Sequence, residues 1–537
     1  MMDFPLTLNW LRHRVQREFG ATEVVTRRPD GRVLTHTYRD IALRGTLLAQ
    51  RLIQAGLRPG ERVATLMWNH HAHLEAYLGV PAAGGVLHTL NHRLSQDDLV
   101  YIMNHAGDRM LLIDDTLLSL YEALKDRLPM LEQVVVFNFS GAGCPEGYAD
   151  HDSWISQTDA ALALPEIAEN DAASLCYTGG STGRPKGVLY SHRALVMHAF
   201  CQAMVDGYGV GRADTVLGVV PMFHGNGWGL PFSAILTGAR LVLPGPRVDA
   251  DSLLELIEAY GVTLSAGVPT VWLKLVNALE KKSPSWRPAR RLRIVTGGAA
   301  PPESLFARLA RFGIDLRQGW GMTETASVIT LSAPDDPGAS ESALADEDRN
   351  WRYRQGKPMP IVDVRIATDG RELPADGVSA GEVQVRGVCV TDSYYAQHLP
   401  ERWTDDGWLR TGDIGTRDAH GNLQILERTE DMIKSGGEWI IPQELENAIL
   451  DYPGIQECTV IAVPHDKWGE RPVALVVEAR GAALDTAALL RHLAGRFAKW
   501  QLPDAVLALP EIPRTAVGKV ARRELRRTYA HLLGATH

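Results

Sequence analysis

Cysteine is scarce in this chain of 537 residues, which has five, at positions 144, 176, 201, 389 and 458. No two form a Cys-x-x-Cys pair and none is spaced from histidine as a zinc ligand would be. A disulfide scaffold and a structural zinc site are thereby excluded, and a reducing compartment is expected. Long apolar runs are missing as well. No stretch approaches the roughly 18 uninterrupted apolar residues of a membrane span, and Met1-Met2-Asp3-Phe4-Pro5 lacks the basic and apolar regions of a secretion signal. The end, Gly534-Ala535-Thr536-His537, carries neither a lipidation nor a peroxisomal sequence. Positive charge is not in excess either: 55 Lys and Arg, evenly scattered, face 64 Asp and Glu for a net charge of −9. That leaves no footprint for nucleic acid or an anionic membrane. The expectation is a cytoplasmic protein without an integral membrane segment or a nucleic acid partner, one that meets anionic ligands with local charge.

With 45% hydrophobic and 22% charged residues the composition is globular, and the length exceeds what one core usually serves. Arg62–Met67 and Met110–Ile113 read as strands that alternate with amphipathic stretches such as Ser252–Tyr260. A strand at Val262–Ala266, a helix over Pro269–Leu279 and a strand at Leu292–Thr296 follow, the last opening into Gly297-Gly298-Ala299-Ala300. Such alternation predicts an α/β domain with largely parallel sheets, whose ligands collect at the carboxyl ends of the strands. The acidic stretch Pro334–Asp348 reads as an exposed excursion. After about Pro358 the texture turns to short alternating strands, Val362–Ile366 and Gly381–Val385, as in a small β-rich subdomain. A boundary near Glu427–Glu430 then separates residues 1–427 from a self-contained α+β domain, residues 428–537.

The most informative segment is Tyr177-Thr-Gly-Gly-Ser-Thr-Gly-Arg-Pro-Lys-Gly-Val188. Its glycines let backbone N–H groups turn inward on a polyanion, its hydroxyls add donors or reach a metal, and its lysine supplies compact positive charge. Gly, Ser and Thr also cluster in ordinary surface turns. Pro185 and the strand-like runs Ser174–Tyr177 and Gly187–Tyr190 instead favour a shaped connection, with Ser191 placed to cap a following helix. The P-loop of kinases and GTPases is excluded, because it needs glycine directly before its lysine.

This spelling resembles the signature loop of the adenylate-forming enzymes, which include acyl-CoA synthetases, peptide-synthetase adenylation domains and luciferases. Five further family motifs follow in order. They are the histidine motif Pro221-Met-Phe-His-Gly-Asn-Gly-Trp228, the Thr-Glu motif Gln318-Gly-Trp-Gly-Met-Thr-Glu-Thr325, the aspartate motif Gly407–Asp413, the hinge and thiol-tunnel segment from Arg428 through Lys434–Trp439, and the terminal lysine motif Pro513–Lys519. The resemblance implies a large N-terminal domain of two α/β sheets plus a small β-subdomain, and a mobile C-terminal lid. It also implies a two-step reaction with ATP, Mg²⁺ and coenzyme A, in which a carboxylate attacks the α-phosphorus of ATP and a thiol then attacks the acyl-adenylate.

By this resemblance Thr178, Gly180, Ser181, Thr182, Gly183 and Lys186 grip the β- and γ-phosphates. Glu324 holds Mg²⁺ with Thr178 nearby, and Thr323 contacts the α-phosphate. Asp413 and Arg428 hold the ribose, with Glu430 at the hinge. Gly298, Ala299, Gln318, Gly319, Trp320 and Gly321 line the adenine and acyl pocket. His224 gates the substrate carboxylate and needs no general-base duty, because that group is already deprotonated at neutral pH. Lys519 bridges carboxylate and α-phosphate when the C-terminal domain closes. Lys434, Gly436, Gly437 and Trp439 form the pantetheine passage. Two departures stand out: Glu430 replaces the usual hinge Asp or Lys, and Gly179 replaces a phosphate-loop hydroxyl.

From Pro221 through Ala239 there is no Asp, Glu, Lys or Arg, which favours an acid with an uncharged tail. An amino acid is disfavoured, since the aspartate that peptide-synthetase domains place after the histidine motif is absent. The segments His224–Pro231, Leu241–Pro246, Lys434–Ile440 and Ala498–Asp504 are similar to the medium- and long-chain fatty-acyl-CoA synthetases. In that branch a tryptophan matching Trp228 gates an acyl tunnel, whose mouth differs here at Gly225 and Gly227. Relatives in the branch form homodimers, and the same is expected here. Rival readings are a ligase for short thioether, branched or aryl acids, and a non-catalytic acyl-adenylate binder.

Overall fold

The computed structural model describes residues 1–159, 161–178, 184–334, 351–436, 438–479, 484–515 and 520–533. By its contacts the chain divides into two compact units, Met1–Asp363 with Arg386–Leu409, and Val364–Val385 with Arg410–His537.

Two mainly parallel sheets organise the first unit. Among the described residues one has seven strands, in the spatial order Ala149–Asp150, Gln133–Phe137, Met110–Asp114, Arg62–Leu66, Val86–Thr89, Ala172–Tyr177 and Gly187–Ser191. The other has nine, running from Lys357–Pro358 through Ser327–Leu331, Ile314–Met322, Leu292–Thr296, Leu264–Gly267, Thr215–Leu217, Arg240–Leu243 and Glu23–Arg27 to Val33–Thr37. Central strands such as Met110–Asp114 are buried along their whole length, as parallel strands covered on both faces must be. The helix Ala250–Tyr260 shows how the connections form. Asp249 Oδ1 accepts a hydrogen bond from Ser252 N, Leu253, Leu256 and Ile257 line the buried face, and Gly261 ends the helix in a left-handed conformation. Ser191 caps the helix His192–Ala203 as the sequence predicts, its Oγ accepting from Ala194 N at 3.1 Å.

One expectation is corrected. The apolar run Val219–Phe223 suggests a strand ending at His224, but the strand stops at Leu217. Pro221 offers no N–H to a ladder, and Asn69 supplies the bonds that a neighbouring strand would. Its Nδ2 donates to Gly218 O and Val220 O at 2.8 Å each, and its Oδ1 accepts from Met222 N at 2.9 Å. Most of the stretch read as an exposed excursion lies outside the described residues.

Among the described residues the second unit holds most of a five-stranded sheet, ordered Arg371–Glu372, Val362–Thr368, Gly381–Gly387, Leu409–Arg417 and Leu423–Arg428. A further sheet pairs Glu438–Ile440, Ile433–Ser435, Gly469–Glu478 and Ile455–His465, with Ala505–Ala508 parallel to Gly469–Glu478. Its two long strands alternate sharply. Val460, Ala462, Ala474 and Val476 pack with the helices Pro442–Leu450 and Thr486–Ala494, while Ile461, Val463, Val473 and Leu475 pack with Leu525 of the helix Arg522–Tyr529. The period of two buries both faces under helices, which is the α+β construction expected for the C-terminal region.

Helices Tyr38–Gln54 and His71–Ala82 approach through glycine. A Cβ on Gly79 would lie 2.7 Å from Gly45 O and 3.2 Å from Leu48 Cβ. Gly79→Val is therefore expected to force these helices apart and lower stability by about 1–3 kcal/mol, as overpacking does. Thermal unfolding checks this, and an unchanged midpoint would contradict the contact.

Candidate active site

The two strands expected around the loop form as Ala172–Tyr177 and Gly187–Ser191 and pair antiparallel, Tyr177 opposite Gly187. Thr178 N donates to Lys186 O at 2.9 Å and Lys186 N donates to Thr178 Oγ1 at 3.1 Å, pinning both ends of the loop. Gly179, Gly180, Ser181, Thr182 and Gly183, the body of that loop, lie outside the described residues.

The hairpin is tied to the Thr-Glu motif. Strand Ile314–Met322 passes into a single tight turn, Thr323–Thr325, whose main-chain carbonyls point to partners in other elements. Tyr190 OH donates to Thr323 O at 2.6 Å, and Thr391 N donates to Glu324 O at 2.8 Å. The Glu324 side chain, 6% exposed, accepts from Tyr394 OH at 2.6 Å through Oε1. The Lys186 ammonium sits 5.1 Å from the centroid of the same tyrosine ring. Burial, reinforced by the Glu324 carboxylate, pushes the Tyr394 phenol well above its ordinary pKa, so it acts as a neutral donor. Tyr394 went unnoticed in the sequence; the aromatic pair Tyr394-Tyr395 carries no periodicity that would have singled it out.

These residues fit a magnesium ion bound with nucleotide. Among the described residues no three His, Cys, Asp or Glu side chains gather as an all-protein metal cage would require. Glu324 Oε2 accepts no hydrogen bond there either, which leaves one carboxylate oxygen for a cation that otherwise takes phosphate and water oxygens.

Beyond the Thr-Glu turn the expected pocket wall is assembled from close backbone approaches. A Cβ on Gly297 would lie 2.7 Å from Gly319 O, and one on Gly319 2.7 Å from Val328 Cγ1. Gln318 is buried, its N–H donating to Ser332 Oγ at 2.9 Å, and Trp320 is almost fully covered. Gly298 has φ of +76° and, with Ala299, is exposed. The Trp228 indole lies against this wall, within 3.7 Å of where a Gly298 Cβ would stand, so two residues 70 positions apart in the sequence meet.

The wall's other side is strained. Gly225, Asn226, Gly227, Trp228 and Gly229 all have positive φ, from 45° to 74°. Left-handed backbone costs a non-glycine residue roughly 1–2 kcal/mol. The strain at Asn226 and Trp228 is offset by buried hydrogen bonds that sequence reasoning did not find. Asn226 Nδ2 donates to Ser174 Oγ at 3.0 Å, its Oδ1 accepts from Cys176 Sγ at 2.9 Å, and Gln202 Nε2 donates to Trp228 O at 2.5 Å. His224 caps this turn: its carbonyl accepts from Trp228 N at 3.1 Å and its ring lies beside Phe223. A Cβ on Gly225 would stand 3.1 Å from Ser327 Cβ, which accounts for the small residue there, and Gly321 is held tightly against Ser327 O.

In the second unit Asp413 and Arg428 face each other across adjacent strands, Oδ1 to Nε 3.3 Å, and Asp413 N donates to Thr411 Oγ1. Glu430 Oε1 is 3.9 Å from Arg428 Nη1. In the hairpin that follows, Lys434 stands opposite Trp439 with its ammonium 5.4 Å from the ring centroid. Gly436, at φ of +62°, donates to Trp468 O at 2.8 Å and leaves 2.9 Å between an imagined Cβ and the Trp468 ring. Gly437 and Lys519 lie outside the described residues. Arg522, three residues beyond Lys519, reaches Glu427 at 2.9 Å, Glu446 at 2.7 Å and Asp431 at 3.3 Å, and Arg526 bonds Glu430 O. The segment on both sides of Glu430 is thus fastened to the helix Arg522–Tyr529.

Residues 11–395 match the family described as AMP-binding enzyme, and residues 444–519 match the AMP-binding enzyme C-terminal domain. The chain is 45% identical to a long-chain-fatty-acid–CoA ligase of Thermus thermophilus, covering 99% of this chain and 97% of that one. It is 41% identical to a 3-methylmercaptopropionyl-CoA ligase of Ruegeria lacuscaerulensis, covering 98% of each. Its fold is similar to that of ATP-bound MatB from Rhodopseudomonas palustris, with a TM-score of 0.84 and 25% identity over 99% of this chain and 100% of that one.

Burial pushes the Glu427 carboxyl up to about 7, opposed by Arg522 and assisted by Glu446. A raised folded pKa means that the unfolded chain loses this proton near its ordinary value of 4.5 while the folded chain keeps it to about 7. The contribution is fully favourable below about pH 4.5 and is lost as pH rises through 7. Replacing Glu427 by Gln removes that slope. The unfolding midpoint of Glu427→Gln relative to wild type is expected to rise between pH 5 and pH 8, and a difference that stays flat or falls would contradict the assignment.

Proposed function

As the chain belongs to the AMP-binding enzyme family and is an ATP-dependent acyl-CoA ligase, we propose that its acid is a medium- or long-chain fatty acid. The observation that carries this reading is the Trp228 indole lying on Gly297 and Gly298, next to a run from Pro221 to Ala239 without Asp, Glu, Lys or Arg. An apolar tail loses no hydrogen bond there, whereas a charged or amino-bearing acid would find no partner.

The enzyme uses ATP, Mg²⁺ and coenzyme A. In the proposed first half-reaction a carboxylate oxygen bonds to the α-phosphorus as the bond from that phosphorus to the bridging oxygen breaks, and pyrophosphate leaves. The protein's part is to hold anions together in register. Thr178, Gly180, Ser181, Thr182, Gly183 and Lys186 take the β- and γ-phosphates, and Thr323 the α-phosphate. Asp413 and Arg428 take the ribose, and Gln318, Gly319, Trp320 and Gly321 line the nucleotide and acyl pocket with Gly298 and Ala299. Glu324, with Thr178, would hold Mg²⁺, which when bound neutralises charge on the leaving phosphates. Lys519 bridges the substrate carboxylate and the α-phosphate, and His224 guards the carboxylate. In the second half-reaction the thiol sulfur bonds to the acyl carbon, its proton is lost to solvent, and the acyl–AMP bond breaks. Lys434, Gly436, Gly437 and Trp439 form the passage for the thiol arm.

We place the functional boundary between residues 427 and 428, with Glu430 as the hinge about which the C-terminal domain presents first Lys519 and then the Lys434–Trp439 hairpin. A cytoplasmic location and a homodimer belong to the same proposal. The likeness to a 3-methylmercaptopropionyl-CoA ligase supports a second reading, a short thioether acid.

Acid-dependent exchange of pyrophosphate into ATP, run over acids of graded chain length and with CoA consumption followed in parallel, is the direct test. Activity should peak at eight or more carbons, on the order of 50-fold above short thioether acids, since each of about three additional buried methylenes contributes about 0.8 kcal/mol. A peak at short acids would replace the first reading with the second, and no acid-dependent exchange would sink both. Lys519→Ala should slow adenylation by about 10²-fold or more while thioester formation from supplied acyl-adenylate survives. Equal loss of both halves would contradict the role given to Lys519.

A further inference from the structure

We propose that Tyr394 is a positioning residue that keeps Lys186 and Glu324 apart, so that the lysine stays available to phosphate and the carboxylate to a divalent cation. The inference rests on the roles given above to those two residues. Opposite charges placed near one another in a half-buried site attract strongly. A direct Lys186–Glu324 pair would use up the cation needed by the polyphosphate and the anion needed by the metal. The structure contains no such pair between these two described residues. The tyrosine stands in its place, with the Lys186 ammonium 5.1 Å from the ring centroid and the phenol O–H on Glu324 Oε1 at 2.6 Å.

Each contact leaves its partner's charge intact. A ring face attracts an ammonium through its quadrupole without occupying the ammonium's three donors. A neutral phenol bonds a carboxylate without cancelling its charge, fixes its rotamer, and leaves Oε2 open. Phenylalanine lacks the donor, and serine or threonine lacks the ring, so none of these three could serve both neighbours.

The ring is itself held from both sides. Thr391 N donates to Glu324 O at 2.8 Å, and Tyr395 N donates to Gly187 O at 2.8 Å, so the segment carrying Tyr394 is fastened to the Thr-Glu turn at one end and to the phosphate hairpin at the other. Trp403 packs edge-on against the Tyr394 ring with centroids 5.6 Å apart, and its Nε1 donates to Thr391 O at 3.0 Å. Tyr394 is 4% exposed. A tyrosine so constrained holds one distance between the two charges before any ligand arrives, and positions both without reorganisation during the reaction.

The test separates the two contacts. Manganese affinity is read by electron paramagnetic resonance on the full-length enzyme saturated with α,β-methylene-ATP, and affinity for that nucleotide without metal is read by calorimetry. Tyr394→Phe keeps the ring and its Trp403 contact; it should weaken manganese binding about tenfold and leave metal-free nucleotide affinity unchanged. Tyr394→Leu removes both contacts and should weaken metal-free nucleotide affinity as well, by about fivefold. Thioester formation from supplied acyl-adenylate should be unchanged in both, which a general loss of packing would not allow. Glu324→Gln is the control. If it weakens manganese binding while Tyr394→Phe does not, the inference about Tyr394 is overturned. If Glu324→Gln itself binds manganese like wild type, the role of Glu324 fails and the inference falls with it. Metal-free nucleotide affinity left intact by Tyr394→Leu would overturn the lysine half.

Discussion

The proposed polyphosphate site between two sheets depends on something to keep those sheets in register, and here that is the part-buried hydrogen bond from Tyr190 to Thr323 O. Tyr190 belongs to the edge hairpin of the seven-stranded sheet, and Thr323 to the turn that ends a strand of the nine-stranded one. A neutral hydrogen bond of this kind contributes only about 1 kcal/mol to stability. Its positional effect is larger, because the loop and the carboxylate proposed above to hold phosphate and metal stand on its two sides. Asn226 repeats the arrangement, joining the strained turn after His224 to Ser174 and Cys176 of the hairpin's other strand. The Thr-Glu turn and the turn after His224 are thereby both tied to this hairpin.

The same logic explains where strain is tolerated. Five successive left-handed residues from Gly225 to Gly229 would not persist in an isolated peptide, least of all at Trp228. They persist because Gln202 and Asn226, both fully buried, fix the turn from either side. The outcome is an indole whose ring atoms stand against Gly297 and Gly298. In the second unit the corresponding device is electrostatic. Arg522 draws Glu427, Asp431 and Glu446 onto one guanidinium, and so ties the chain around Glu430 to the helix that follows the terminal lysine motif. One of those carboxyls is buried enough to stay half-protonated near neutrality.

Much of this was legible in the sequence, and the limits have a physical origin. The helix Ala250–Tyr260 and the hairpin around the phosphate loop are written locally, in apolar spacing, capping residues and glycines, and the structure places them within two residues of expectation. The meeting of Trp228 with Gly298 was legible only through the family motifs that carry both. The apolar run Val219–Phe223 misled because its hydrogen bonds come from Asn69, some 150 positions away, and local periodicity holds no record of such a partner. Tyr394, Asn226, Gln202 and Arg522 escaped for the same reason. Each acts through polar contacts with residues distant in the sequence, which local periodicity does not record.

The central claim is that one preassembled grouping, Lys186, Tyr394 and Glu324 on the Tyr190–Thr323 tie, receives metal and polyphosphate together. A crystal structure with manganese and a non-hydrolysable ATP analogue, with the metal located by its anomalous scattering, tests it most directly. The account predicts an anomalous peak bound to Glu324, the β- and γ-phosphates between Thr178 and Lys186, and Tyr394 still bonded to Glu324. A metal bound elsewhere, or Lys186 turned from the phosphates to pair with Glu324, would contradict it.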